Sequence, residues 1–201
     1  MILAFGGASI DGSAYTDVVR LAQHAPAWLN DAVSAWSTYG LAVFAVLMVV
    51  GWWSARRVDA TASVTALAVP FVVVVAYGID AALKLLVHEN RPCQSLKVTV
   101  LEACPARGDW SFPSNHTAIA AAAAVALLFV VRRLGAVAVV AAGAMAASRV
   151  WVGVHYPHDV VAGAMVGALT VMAAMPVLRR WAEPLAVRLT ATRLRPLLAT
   201  S

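Results

Sequence analysis

Charge is scarce in this chain. Only 12% of its 201 residues are Asp, Glu, Lys or Arg, where a soluble globular domain carries about 25%. That shortage excludes a disordered chain, a coiled coil and an ordinary soluble enzyme. Cysteine is nearly absent too. The only two, Cys93 and Cys104, lie in one polar stretch and fit neither a metal cluster nor a CxxC redox motif. Acidic residues number 10 against 15 basic ones, and only two of the basic residues, Lys84 and Lys97, are lysines. The first 20 residues lack a basic start followed by an apolar core, so no cleavable leader is expected. What fills the chain instead is apolar: 62% of residues, with a mean hydropathy of +0.79. These residues run in long blocks. Barrel strands alternate apolar and polar residues, so the blocks argue against a transmembrane barrel. The expected fold class is all-α, a polytopic membrane helix bundle.

A spanning helix needs about 20 mostly apolar residues. Five blocks approach that length: about Tyr39–Ala55, Val64–Val87, Ser114–Val131, Leu134–Val154 and His158–Leu178. Thr16–Ser37 also reads as helical, with Val18, Leu21, Ala25 and Leu29 at helical spacing, but Arg20, His24, Asn30 and Asp31 interrupt it. It is expected to be an amphipathic interfacial helix, the alternative being a sixth span. Residues 1–38 are then an interfacial segment, 39–178 the bundle and 179–201 a basic cytoplasmic tail. No repeat, linker or second domain is visible, so 1–201 is expected to be a single integral-membrane domain.

The net charge of +5 would suggest a nucleic-acid partner in a soluble protein. Here the arginines sit at block ends, so membrane orientation explains them and no nucleic acid is expected. Arg56-Arg57, Arg132-Arg133, Arg179-Arg180 and the tail arginines all fall on one side of a five-span chain. The positive-inside rule makes that side the cytoplasm. The opposite side receives His88–Pro113 and the short turn near Gly153–Pro157.

Ionisable residues near a membrane are costly, which makes them candidates for function. On the five-span reading Lys84, Arg91, His116, Arg149, His155 and Asp159 all reach the same outer face. Lys84, Arg91 and Arg149 could neutralise a dianion, and the arginine fork matches phosphate oxygens. Pro113-Ser114-Asn115-His116 precedes an alanine-rich block. Ser114 is a candidate N-cap there, and the free amides that follow form an anion site. His116 and His155 could divide the work of nucleophile and general acid. The residues alone do not say which attacks. They favour His155, because Asp159 lies four residues on and could hold one imidazole nitrogen.

Lys84-x6-Arg91-Pro92, Pro113-Ser114-Asn115-His116 and Ser148-Arg149-x5-His155-x3-Asp159 together resemble the three-part signature of the type 2 phosphatidic acid phosphatase (PAP2) superfamily. Within it, the chain is most similar to bacterial undecaprenyl-diphosphate phosphatases of the bacitracin-resistance type. One position departs from the common pattern: Asn115 stands where glycine is usual. The resemblance implies a lipid phosphatase without metal or cofactor. His155 would be the nucleophile, forming a phosphohistidine, and Asp159 would orient it. His116 would protonate the leaving oxygen and then activate water. Lys84, Arg91, Ser114, Asn115 and Arg149 would bind the phosphoryl group. It further implies a multi-pass protein of the bacterial plasma membrane with an outward-facing site, acting on undecaprenyl or another polyprenyl diphosphate. The alternatives are a phosphatase for phosphatidic acid, phosphatidylglycerophosphate or another polyprenyl phosphate and, in a different class, a non-catalytic lipid-phosphate binder or transporter.

Two structural expectations accompany this reading. Cys93 and Cys104 enclose ten residues on the side assigned as oxidising, and they could be bonded or stay as two thiols. A lipid chain is expected to leave the site sideways. Small residues at Ala120–Ala124 and Gly163–Gly167 would allow close helix packing beside that exit.

Overall fold

The computed structural model describes residues 7–96 and 98–198; Lys97 and the outermost residues of the expected interfacial segment and tail lie outside them. Among the described residues the structure is helical, with no strand. In chain order the helices are α1 (Ala8–His24), α2 (Ala27–Tyr39), α3 (Leu41–Ala55), α4 (Ala60–Leu86), α5 (Pro92–Ser95), α6 (Asn115–Val130), α7 (Arg132–Trp151), α8 (Pro157–Thr190) and α9 (Arg195–Leu198).

Three helices, α4, α7 and α8, are long and apolar enough to cross a membrane. The pair α2–α3 makes a fourth if its 56° bend is counted within one span. Helix α6 is apolar but has only 16 residues, about 24 Å at 1.5 Å per residue. Many large apolar side chains point outward along these helices, including Val49, Phe71, Val140, Met165 and Leu169. An outward apolar surface of this extent fits a lipid environment. These features make the chain a multi-pass membrane protein.

The expected single amphipathic helix over Thr16–Ser37 is instead two helices. Pro26 disfavours helical geometry at the preceding residue, and Ala25 is extended (φ −76°, ψ 152°). The second piece, α2, then leads into α3 through Gly40. A Cβ at Gly40 would lie 2.4 Å from the Trp36 carbonyl oxygen, so the close approach at this bend requires glycine.

Helix α6 occupies the centre. It packs on α3, α4, α7 and α8, and its alanines at 118, 120–124 and 126 are buried. A helix apolar on every side belongs inside a bundle. Its contact with α8 is especially close: a Cβ at Gly167 would meet the Ala118 carbonyl oxygen at 2.2 Å, and one at Gly163 the Ser114 carbonyl oxygen at 2.4 Å.

Helix α8 runs well past the expected end near Leu178. Its C-terminal part packs beside the start of α4, with Ala182, Ala186 and Leu198 against Val64. The tail folds back onto the α3–α4 turn, where Trp52 Nε1 donates to the Leu197 carbonyl (3.1 Å) and Arg56 donates to the Pro196 carbonyl (2.5 Å). A cavity bordered by Asp59, Phe129, Val130 and Arg179 joins the α3–α4 turn, the end of α6 and α8. The arginine-rich turns therefore gather at one end of the bundle.

Gly167→Leu should destabilise the protein by about 1–3 kcal/mol, because the added atoms meet backbone. Gly143→Ala should be close to neutral, since no atom lies within 4 Å of its added carbon. Thermal unfolding of the purified variants in detergent measures both.

Candidate active site

Opposite the arginine-rich end, three separate parts of the chain converge. Arg91 follows α4 and begins α5. Pro113 and Ser114 lead into α6, and the turn 152–156 joins α7 to α8. This turn depends on Gly153, whose φ of +90° favours glycine and whose added Cβ would meet Val100 at 2.4 Å. It puts His155 before α8 rather than on it. Pro157 starts the helix at a position where a missing amide costs nothing. Asp159 lies in the first turn, and its carboxylate reaches back to accept the Tyr156 amide N–H at 2.8 Å. His155 and Asp159 thus meet across a helix start, not along a helix face.

The imidazole of His155 is only 2% exposed. Its Nδ1 lies 3.3 Å from Asp159 Oδ2, and its Nε2 lies 3.2 Å from Arg91 Nη1. Arg91 can only donate, so Nε2 is the accepting nitrogen and Nδ1–H faces the carboxylate. Arg91 also donates to the Val154 carbonyl at 3.0 Å and holds Asp109 through both its backbone and its side chain. Ser111 Oγ donates to Asp159 Oδ2 at 2.5 Å and lies 3.5 Å from His155 Nδ1.

The remaining expected residues take the following places. Lys84, in the last turn of α4, donates to the Trp110 carbonyl at 2.9 Å. Ser114 occupies the N-cap position of α6, but its hydroxyl makes no capping bond. Its amide donates instead to the Asp159 carbonyl at 3.1 Å, tying α6 to α8. Asn115 has a buried side-chain oxygen without a hydrogen-bond partner among the described residues. His116, in the first turn of α6, lies within electrostatic reach of Arg149, Lys84 and Arg91. Arg149 donates to Ser37 Oγ and, at 3.4 Å, to Glu102 Oε2.

Cys93 and Cys104 are joined as a disulfide, with their Cα atoms 5.9 Å apart. The bond ties α5, beside Arg91, to the outer segment that supplies Glu102 and Asp109.

Several residues at this end were not singled out from the sequence. Ser111 lies three residues before Ser114, but a lone serine carries no signal. His158 adjoins Asp159, and Glu89 lies two residues before Arg91. Asp11 and Ser37 are distant in sequence, and nothing in the pattern points to them. Glu89, His158 and Asp159 offer ligand atoms within 4.8 Å of one another, a donor set of the kind that can hold a metal ion. Here, however, both His158 nitrogens already face carboxylates.

The expected lateral exit beside α6 and α8 coincides with a close helix contact at Gly163 and Gly167. An apolar groove of about 330 Å³ lies elsewhere, between α2 and α7, bordered by Val33, Trp36, Ala144, Ser148 and Trp151. A second of about 510 Å³ shares Trp36 and Ala144 and extends toward Val137. Ser148 puts the groove next to Arg149.

The fold and this end of it define a helical membrane bundle that gathers cations, amides and two histidines at one end. Residues 64–183 match the sequence profile of the PAP2 superfamily, and the chain belongs to it. It is 39% identical over 93 residues to undecaprenyl-diphosphatase BcrC of Bacillus subtilis, covering 46% of this chain and 47% of that protein. It is 33% identical over 103 residues to an undecaprenyl-diphosphatase of Sulfolobus acidocaldarius, covering 51% and 48%. The chain thus spans about half the length of these curated relatives. In fold it is similar to a transmembrane PAP2-type phosphatidylglycerolphosphate phosphatase of Bacillus subtilis. That match has a TM-score of 0.61 at 20% identity, over 86% of each chain. LpxE of Aquifex aeolicus matches with a TM-score of 0.60 at 20% identity, over 83% of this chain and 95% of that one.

Burial pushes the His155 imidazole down from its ordinary 6.5 to about 3, against the opposing pull of Asp159. The sign of the consequence is fixed. The unfolded chain takes a proton on this residue below 6.5, whereas the folded one resists until about 3. Stability present above 6.5 is therefore lost as pH falls through that window. His155→Asn should show a shallower fall in thermal unfolding temperature between these pH values than the wild type. Equal slopes would mean that the imidazole is solvated.

Proposed function

We propose that this protein is a metal-independent lipid phosphatase of the extracytoplasmic membrane face, acting through a phosphohistidine. The substrate we favour is undecaprenyl or another polyprenyl diphosphate. It would be converted to the monophosphate plus phosphate, which recycles a carrier lipid for cell-wall synthesis. The observation that carries this reading is the two-sided hold on His155. Asp159 takes Nδ1–H, and the Nε2 lone pair is left facing the Arg91 guanidinium, where a phosphate oxygen would dock. The names of the relatives, matched over about half their length, support the diphosphate as substrate.

The steps then run as follows. His155 Nε2 attacks the terminal phosphorus, and the bond from phosphorus to the bridging oxygen breaks. The leaving lipid monophosphate takes a proton from His116. Neutral His116 then accepts a proton from water, whose oxygen attacks the phosphohistidine. The P–N bond breaks and inorganic phosphate departs. Lys84, Arg91, Arg149 and the α6 amides at Asn115 and His116 hold the phosphoryl oxygens as negative charge builds on them. Ser114 and Asn115 line that approach. The isoprenoid chain lies in the apolar groove along α7, and a diphosphate head stays at the rim because it cannot shed its hydration in hydrocarbon.

In this reading residues 1–201 form one domain in a bacterial plasma membrane. It crosses five times, through the bent pair α2–α3 and through α4, α6, α7 and α8. The arginine-rich end faces the cytoplasm.

Purified protein in chelator should release phosphate from polyprenyl diphosphate faster than from phosphatidylglycerophosphate or phosphatidic acid. His155→Ala should abolish release, because no other side chain is placed to form the covalent intermediate. Asp159→Asn should lower turnover by orders of magnitude, up to about 10⁴-fold, through the wrong imidazole tautomer. Near-normal turnover in His155→Ala, or an absolute need for a divalent metal, would overturn the mechanism. A lipid phosphate that binds without phosphate release would make the chain a binder instead.

Sidedness has its own test, in a background lacking Cys93 and Cys104. In intact cells Arg107→Cys should react with an impermeant thiol reagent, and Arg133→Cys should react only after permeabilisation. The reverse pattern would put the site in the cytoplasm and remove the recycling role.

A further inference from the structure

His158 has no part in the chemistry above, yet it is among the most tightly held side chains of the outer end. Its Nδ1 lies 2.8 Å from Asp11 Oδ1. Its Nε2 lies 3.0 and 3.1 Å from the two oxygens of Glu89 and 3.4 Å from Asp159 Oδ1. With carboxylate oxygens on both sides, both nitrogens are donors and the ring is a cation. The ring also stacks on Tyr156, with centroids 5.4 Å apart, and on Phe112 at 6.0 Å. Aromatic faces on a cation add to the hold.

We propose that His158 is a positioning residue for phosphoryl transfer: gripped by Asp11 of α1 and by Glu89, it fixes the Asp159 carboxylate from the side opposite His155. The inference rests on His155 being the nucleophile. Asp159 Oδ2 is shared by His155, Ser111 and the Tyr156 amide. Among the described residues its Oδ1 makes no hydrogen bond, and His158 Nε2 faces it as an ion pair at 3.4 Å. Glu89 and Asp159 are both fully buried, and two such carboxylates side by side would favour uptake of a proton. The imidazolium between them keeps Asp159 ionised. An ionised Asp159 keeps the proton on His155 Nδ1 and so leaves Nε2 free to attack.

The grip reaches α1 through a local break in that helix. Asp11 departs from helical geometry (φ −144°, ψ 27°). Its second oxygen accepts the His158 backbone amide at 2.7 Å, so both oxygens are engaged on one residue. Gly7, just before α1, presses on the same cluster: a Cβ there would lie 1.7 Å from Glu89 Oε1 and 2.8 Å from His158 Cε1. Tyr15 adds a hydrogen bond to the Gly153 carbonyl at 2.9 Å, in the turn that carries His155. The seating of α1 and the geometry of the nucleophile are therefore mechanically linked.

The test uses the purified protein in detergent with polyprenyl diphosphate, comparing His158→Gln, Asp11→Asn, their double variant and His155→Ala. His158→Gln should lower kcat by about 10–100-fold, the usual range for residues that orient a functional ligand. KM should stay within about twofold, because Lys84, Arg91 and Arg149 are untouched. Acid-quenched phosphoenzyme should form more slowly by the same factor. Asp11→Asn should lower kcat in the same direction, and the double variant should be no worse than His158→Gln alone, as expected for one shared path. If His158→Gln fails to fold, Asp11→Asn on α1 decides through the same split between kcat and KM. Wild-type kcat in a folded variant, or a loss confined to KM, overturns the inference. So does wild-type activity that falls in chelator and returns with zinc, since the trio would then be a metal site. A wild type that releases no phosphate would sink the phosphatase reading itself. An active wild type with an indifferent His158→Gln would sink this inference only.

Discussion

A carboxylate shut away from water at the first turn of α8 is the constraint on which the outer end of the bundle depends. Asp159 is fully buried. A buried charge is tolerable only when it is paired and hydrogen-bonded. Its partners come from separate places: Ser111 from the outer segment, the Tyr156 amide and His155 from the turn before α8, and His158 from α8 itself. Satisfying one acid thus fixes the outer segment, the α7–α8 turn and the start of the last long helix relative to each other. Through His158 the requirement extends to Glu89 beside Arg91 and to Asp11 on α1. The site is a consequence of solving this solvation problem in a protein with few charges.

The alanine and glycine content of the centre serves the same end. Only small residues let α6 and α8 approach until a Cβ at Gly167 would strike the α6 backbone. That approach brings the Ser114 amide to the Asp159 carbonyl. The start of α6, with the first-turn amides and His116, is thereby anchored to the helix that carries the acid. Bulky residues along this seam would separate the two helix starts. The region that composition marks as featureless therefore governs the alignment of the chemistry.

Much of this was legible in the sequence because the governing signals are local. Apolar blocks gave approximate helix positions, and the ionisable residues at their ends divide between the arginine-rich turns and the opposite end that holds Arg91, His155 and Asp159. Arg91 and Asp159 each lie within contact distance of His155, on opposite ring nitrogens. Boundaries were less legible. Thr16–Ser37 reads as one amphipathic helix, but Pro26 divides it and Gly40 bends the second part into α3. Helix α8 runs on past Arg179-Arg180, because arginine is a good helix former and the stop there concerned hydropathy rather than backbone. The relation of His155 to Asp159 was inferred from helical spacing, yet it is made by a carboxylate folding back over a helix start. The support from Asp11, Ser37 and Ser111 was invisible, since such contacts depend on tertiary placement and leave no periodic trace.

The placement of the outer acids follows from the same charge economy. Arg91 and Arg149 are nearly buried, and each is matched by an acid from the outer segment, Asp109 at 2.9 Å and Glu102 at 3.4 Å. Arg91 and Arg149 lie within electrostatic reach of each other, and without counter-charge they would repel strongly in a poorly solvated site. The acids remove that cost. On the proposed reading, an incoming phosphate would exchange one charge-assisted bond for another, so little net binding energy would be gained in the ground state. On that reading, charge shifts onto the phosphoryl and leaving oxygens as the bond breaks, whereas a carboxylate's charge stays where it is. Interactions that strengthen only in the transition state are the ones that accelerate a reaction. Both acids belong to the segment clipped to α5 by Cys93–Cys104. On the proposed reading, that linkage makes a head group able to engage both arginines the ligand best able to displace the pair.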